Sequence, residues 1–257
     1  MNTLSRFKNK NVLITGAASG IGRAAAVRIA QEGGQLALLD INLARLKDVA
    51  EEIGQQGGKV SYRQCDVSDF DQTGAAIDEL SQDLGGIHAL SHNAEILQCY
   101  NTHEMTLEQW NKLILVNLTG TFIVNRHALP HLLKNKRSYL VNASSIAAEQ
   151  PHPWMAAYVA TKGAIKAFTR SLFVEYSLQG LRANCILPGG FKTDLASTFK
   201  VPEGANSVLL KTLLPLGKPN EVSTEHIAGV IALLASDDAF HINGIEIAVD
   251  GGKIGLA

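Results

Sequence analysis

Tyr158 and Lys162 lie four residues apart, with only Val159, Ala160 and Thr161 between them. On a helix, residues at that spacing stack on one face, so a phenol and an ammonium become neighbours. A free phenol, with a pKa of about 10, is a poor base at neutral pH, and an adjacent cation favours its ionised form. Such a pair suits moving a proton onto or off a substrate oxygen. The plainer reading is a core aromatic beside a solvated lysine, and for the pair in isolation that reading prevails.

Other residues supply the context. The run "SYLVNASS" ends in Ser144 and Ser145, either of which could offer a hydroxyl to hold a substrate oxygen. Asn117 stands inside the apolar "LVNLTGTF", where an asparagine is unfavourable in a helix without a role of its own. Near the N-terminus, "TGAASGIG" places Gly16, Gly20 and Gly22 between a β-rich run and a helical one. Glycines in such a turn let backbone approach a pyrophosphate, whose charge a helix N-terminus favours. Asp40 closes the next β-rich run 24 residues after Gly16, where a carboxylate can accept the hydroxyls of a ribose. The same carboxylate would repel a 2′-phosphate, and Ala17 and Ala18 bring no cation to offset it, so NAD is expected over NADP. As a simple alternative, Asp40 caps the following helix.

These residues need a scaffold. Short apolar runs at 11–15, 35–40, 59–65, 87–91, 138–143, 182–187 and 245–249 predict seven strands. Amphipathic stretches lie between them; in one, Leu43, Leu46, Val49, Ala50 and Ile53 recur at helical spacing. This alternation predicts an α/β fold, a doubly wound parallel sheet with helices on both faces. A chain of 257 residues, 46% hydrophobic, with no linker or internal repeat, reads as one domain over 1–257. The irregular stretch 188–220 has the character of a substrate loop.

The net charge of -1, with 18% charged residues, gives no support to nucleic acid or anionic membrane as partners. No run is apolar enough for a signal peptide or a membrane span, so a cytoplasmic protein is expected. Cys65, Cys99 and Cys185, odd in number and far apart, read as reduced thiols. His127 and His131 share a helical face, yet Pro130 and the lack of a third ligand argue against zinc.

In order along the chain, Thr15-Gly16-Ala17-Ala18-Ser19-Gly20-Ile21-Gly22, Asp66-Val67, Asn93-Ala94, Asn117, Ser145, Tyr158 with Lys162, Pro188-Gly189 with Thr193, and "VDGG" form a recognisable set. By these motifs the sequence resembles the classical short-chain dehydrogenase/reductase (SDR) family over essentially its whole length. The resemblance implies a single-domain Rossmann-type fold of seven strands, a nicotinamide cofactor, and interconversion of a secondary alcohol and a ketone. It implies a catalytic set of Asn117, Ser145, Tyr158 and Lys162, with Tyr158 as acid/base, Ser145 rather than Ser144 on the substrate oxygen, and Asn117 helping to hold a relay water. Carried over likewise are cofactor contacts from Gly16, Ser19, Gly20, Ile21, Gly22, Asp40, Asp66, Val67, Asn93, Ala94, Tyr158, Lys162, Pro188, Phe191 and Thr193. A homo-oligomer, dimer or tetramer, packed through the Tyr158 helix is also implied. The alternatives are an NADPH-linked 3-oxoacyl thioester reductase, against which Asp40 argues, and a nucleotide-binding protein of this fold that has lost turnover.

One position departs from the pattern. Where the family has Asn-Asn-Ala-Gly, this chain has His92-Asn93-Ala94-Glu95. Glycine serves where backbone approaches a ligand or takes positive φ, so a glutamate here could be a tolerated substitution facing a solvent-filled cleft, tune the site, or crowd the cofactor and cripple it. Trp154, Met155, Pro151 and Pro153, just before Tyr158, are expected to line a substrate pocket or a subunit contact. With Leu97, Leu195 and Phe199 they point to a moderately apolar substrate, while Lys192 and Lys200 leave room for a negatively charged tail.

Overall fold

The computed structural model describes residues 5–150, 152–190, 200–213 and 223–256. Seven parallel strands form one sheet in the order β3-β2-β1-β4-β5-β6-β7. They are β1 (Asn11–Thr15), β2 (Gln35–Asp40), β3 (Val60–Gln64), β4 (Ala89–His92), β5 (Ser138–Ala143), β6 (Leu181–Pro188) and β7 (Glu246–Val249). All seven expected strands are present, with ends displaced by a residue or two. The helices are α1 (Gly20–Gln31), α2 (Leu43–Gln55), α3 (Phe70–Leu84), α4 (Leu107–Leu113), α5 (Gly120–Leu132), α6 (Ala156–Tyr176), α7 (Ser207–Thr212) and α8 (Thr224–Leu234), with a π-turn at Ile114–Thr119 joining α4 to α5.

Alternate residues of each strand feed opposite layers, as the pleat requires. Val12, Ile14, Leu36 and Leu38 pack with Ala25 and Ile29 of α1, Leu46 and Val49 of α2, and Ile227 and Ile231 of α8. Leu13, Ala37, Leu39 and Leu140 face the other way, onto Ile77 and Leu80 of α3, Val124 and Leu129 of α5, and Leu172 of α6. Strands covered on both faces have no polar side, which is why their sequences are almost continuously apolar. The amphipathic stretch at Leu43 behaves as its spacing demands, with Leu46, Val49, Ala50 and Ile53 buried.

The strand order reverses direction between β1 and β4, and a doubly wound sheet binds ligands at that crevice beyond the strands' C-terminal ends. The glycine turn follows β1, Asp40 ends β2, His92 ends β4, Ser144 and Ser145 follow β5, and Pro188 ends β6. Distant stretches of chain therefore converge on one rim. Within the expected loop at 188–220, residues 200–213 are described and include α7; Phe191, Thr193, Leu195 and Phe199 lie outside the described residues.

Candidate active site

The nucleotide half of the rim is built from the glycine turn. Gly16 has φ +64°, and a Cβ there would stand 2.9 Å from the Ala94 nitrogen, so only glycine lets the turn lie against the end of β4. A Cβ on Gly22 would meet the Gly16 oxygen at 2.1 Å, and its absence lets α1 start directly beneath the turn. Ser19 precedes α1 without a side-chain cap, and no acidic residue lies in the first turn. The first N–H groups of the helix, at Gly20, Ile21 and Gly22, thus keep their affinity for an anion such as a pyrophosphate.

Asp40 is not a helix cap, since that position is held by Asn42, whose side chain accepts from the Arg45 nitrogen at 3.1 Å. The Asp40 carboxylate accepts instead from the Ala18 nitrogen at 3.0 Å and the Asn42 nitrogen at 2.8 Å. Each oxygen has a lone pair left, so the group fits a ribose diol and simultaneously braces the glycine turn. Asp66 is occupied locally, accepting from the Ser68 nitrogen at 2.9 Å and hydroxyl at 2.6 Å. Val67 is buried against Gly120. Asn93 donates to the Ser91 oxygen at 3.1 Å, and the Asn93 and Ala94 nitrogens donate to Thr15 Oγ1 at 3.1 and 3.3 Å. These bonds tie β4 to β1 at the crevice, and the residues present fit an adenine dinucleotide.

At the other half, α6 presents Tyr158 and Lys162 on its inner face, 6% and 1% exposed. The core-aromatic reading fails for this pair, because the lysine is the more buried of the two. Lys162 Nζ lies 5.5 Å from the Tyr158 ring centre and donates to the Ala143 carbonyl at 2.9 Å. The two serines separate clearly. Ser144 spends its hydroxyl on the Lys162 carbonyl at 2.8 Å, whereas Ser145 accepts from the Ala147 nitrogen at 3.1 Å and stands close enough to the Tyr158 phenol to favour its ionised form.

Glu95 enters this cluster. Its Oε2 forms an ion pair with Lys162 Nζ and accepts from the Tyr158 hydroxyl at 3.3 Å. Glu95 is thus engaged with the two candidate catalytic groups while its side chain keeps 16% exposure. Burial, and then the Glu95 charge, push the Tyr158 phenol well above its ordinary pKa, while Ser145 pulls the other way. The Lys162 ammonium is therefore shared between the Glu95 carboxylate and the phenol it faces.

Asn117 sits in the π-turn, 1% exposed. Its Oδ1 accepts from the Ile96 nitrogen at 2.8 Å and its Nδ2 donates to the Ile96 carbonyl at 2.9 Å, as a neighbouring strand would. His92 is buried beneath, with Thr15 Oγ1 at 2.7 Å from Nδ1 and Thr121 Oγ1 at 3.1 Å from Nε2. Thr121 donates to the Asn117 carbonyl at 2.5 Å and Thr15 already accepts two backbone N–H groups. The tautomer follows: Thr15 donates to Nδ1, and Nε2–H donates to Thr121. Burial, then the Lys162 charge, push the His92 pKa down to about 3, in keeping with a neutral ring. Neither the Ile96 clamp nor this chain of bonds was foreseen; the histidine in the family's asparagine position was the available signal.

Tyr158, Met155 and Ala147 form a small buried cluster with Leu97, Cys99, Val159 and Leu213 packed against it. Trp154, at φ +64°, gives its carbonyl to the Tyr100 nitrogen at 2.8 Å, fastening the two walls together. Pro151 and Lys192 lie outside the described residues. His127 and His131 diverge: His127 meets the edge of Phe70 at 4.5 Å, and His131 bonds Asp78 at 2.7 Å and Ser81 at 2.9 Å.

Comparison with known proteins follows the geometry. The sequence profile of the family described as short chain dehydrogenase matches residues 10–203. The cyclohexanol dehydrogenase of Acinetobacter sp. (strain SE19) is 35% identical over 248 residues, 96% of either chain. The 2,5-dichloro-2,5-cyclohexadiene-1,4-diol dehydrogenase LinX of Sphingobium indicum is 35% identical over 250 residues, 96% of this chain and 97% of its own. A 3-oxoacyl-[acyl-carrier protein] reductase with bound NAD from Brucella melitensis superposes with a TM-score of 0.83 at 32% identity, covering 97% of this chain and 93% of the other.

Proposed function

The chain belongs to the short-chain dehydrogenase family, and from that premise we propose an NAD-dependent enzyme that interconverts a secondary alcohol and a ketone. The observation that carries the reading is the convergence of Ser145, Tyr158 and Lys162 on one rim of the sheet, next to a nucleotide cradle. A nicotinamide dinucleotide bound there would accept or supply the hydride. The chain's own residues handle the proton: Ser145 orients the substrate oxygen, Tyr158 exchanges a proton with it, and Lys162 supplies positive charge beside the phenol. Asn117 acts by fixing the backbone that borders this group.

Asp40 supports NAD over NADP, since a carboxylate braced by two backbone N–H groups cannot turn away from a 2′-phosphate without loosening the turn. The apolar wall of Leu97 and Met155, together with relatives named for cyclohexanol and a cyclohexadiene diol, supports a cyclic, largely apolar alcohol. The stretch at 188–220 is the proposed substrate loop. No helix among the described residues is long and apolar enough to cross a membrane. Exposed Leu115, Phe122 and Val174 on the π-turn, α5 and α6 support assembly as a dimer or tetramer.

The hold of Glu95 on Lys162 favours a second reading, a nucleotide-binding protein without turnover. One titration separates them. NAD⁺, NADH and NADPH are titrated calorimetrically, and a panel of cyclic secondary alcohols is then assayed with NAD⁺. Selective binding of NAD⁺ or NADH with turnover is expected; NADPH preference or binding without turnover would overturn the assignment.

A further inference from the structure

Glu95 does more than occupy space beside Lys162. One of its carboxylate oxygens contacts both the ammonium of Lys162 and the hydroxyl of Tyr158, the atom that exchanges the substrate's proton. Its position is imposed: the next residue, Ile96, is gripped through both backbone groups by Asn117, and the preceding Ala94 is bonded to Thr15. With the side chain of Asn117 spent on backbone, the described residues give the phenol a carboxylate as its proton partner. The Glu95 side chain as a whole is 16% exposed, so it is not sealed from water.

We propose that Glu95 is a catalytic proton acceptor behind Tyr158, a role that rests on the dehydrogenase reading. In alcohol oxidation the C–H bond gives its hydride to an oxidised nicotinamide, and the substrate O–H gives its proton to the Tyr158 oxygen. As it does so, the Tyr158 O–H bond breaks and that proton forms a new O–H bond on Glu95, which then releases it to solvent. Tyr158 begins and ends as a phenol, and no free phenolate has to form beside a carboxylate. In ketone reduction the same transfers run backwards.

The electrostatics are consistent with this division of labour. Among the described residues, the titratable groups that face Glu95 are Tyr158 and Lys162 from α6; His92 of β4 and Cys99 act on those two in turn. Burial pushes the Cys99 thiol up to about 12 and holds His92 neutral, so the carboxylate and the ammonium are the charges in play. A phenol kept protonated by a carboxylate needs a way to shed its proton, and the carboxylate touching it provides one.

The test compares wild type with Glu95→Gln and Glu95→Gly by the pH dependence of kcat for alcohol oxidation. The Tyr158 phenol is also titrated by ultraviolet absorbance without cofactor, with Tyr158→Phe as the blank. The expected result is at least a ten-fold fall in kcat at neutral pH in both variants, and an acid limb moved upward by a pH unit or more. The phenol should titrate at lower pH in both, while an unchanged circular dichroism spectrum and melting temperature separately show that the variants are folded. Equal or higher kcat with an unmoved acid limb would overturn the inference and mark Glu95 as a spectator or an obstruction. A wild-type protein that binds the nucleotide yet turns over no alcohol overturns the dehydrogenase reading itself, and the catalytic role with it.

Discussion

Tyr158 and His92 show how burial sets the protonation of single groups. The phenol is kept protonated by desolvation and by Glu95, so the proposed chemistry has it pass a proton through rather than stand ionised. Replacing Tyr158 with Phe removes the hydroxyl that lies beside Ser145 and donates to Glu95, and kcat should fall by three orders of magnitude or more with nucleotide affinity little changed. Steady-state kinetics beside a binding titration checks this. His92 makes a prediction about stability. Its folded-state pKa, pushed down to about 3, lies below the value of about 6.5 for a free imidazole, so the unfolded chain binds the extra proton between the two. Its contribution is therefore full above pH 6.5 and is lost as the pH falls, by about 1.4 kcal/mol per unit. His92→Asn should be the less stable protein at pH 7, and its deficit should shrink by about 2–3 kcal/mol by pH 4.5, as urea denaturation at both pH values would show.

Among the elements, the π-turn at Ile114–Thr119 has the largest consequence for the site. It breaks the regular helix between α4 and α5 and brings the Asn117 side chain onto Ile96, 21 residues away in sequence. Asn117→Ala would strip partners from two half-buried backbone groups, costing about 1–3 kcal/mol and freeing the segment that carries Glu95. Thermal denaturation reads the first effect, and a raised KM for nucleotide reads the second. The strands were legible because burial on both faces leaves a plain apolar signature, and α2 because its one-sided burial leaves a helical one. The glycine turn, Asp40 and the Tyr158–Lys162 pair were legible because their chemistry depends on local spacing. The π-turn was not: "ILVNLT" is an ordinary apolar helix segment, and only a partner from the loop after β4 makes the extra residue per turn worthwhile. Glu95 was visible as a departure, but its partners were not, since they lie on α6 and a strand end has several directions open to a long side chain. The direction it takes is a tertiary fact.

Taken whole, the molecule buries its charge chemistry and leaves part of its apolar surface outside. Leu115 is 47% exposed, Phe122 46% and Val174 70%, on neighbouring elements that include the helix carrying Tyr158. An assembly through this face would hold α6 steady from behind. Leu115→Glu combined with Val174→Glu should lower the mass measured by sedimentation to that of one 27.5 kDa chain and reduce turnover several-fold; an unchanged mass would place the interface elsewhere. The order of the sheet also bears on how the protein is made. β1 precedes the other six strands in the chain yet lies near the middle, and its second neighbour is β4, with Thr15 meeting His92 across 77 residues of chain. At ribosomal speeds of 5–20 residues per second those 77 residues take roughly 4–15 s to appear. For that interval Val12, Leu13 and Ile14 present an open edge, and the nucleotide crevice, defined by the gap between these two strands, does not exist. A nascent chain must therefore be kept from pairing with its neighbours on a polysome before it has anything to bind.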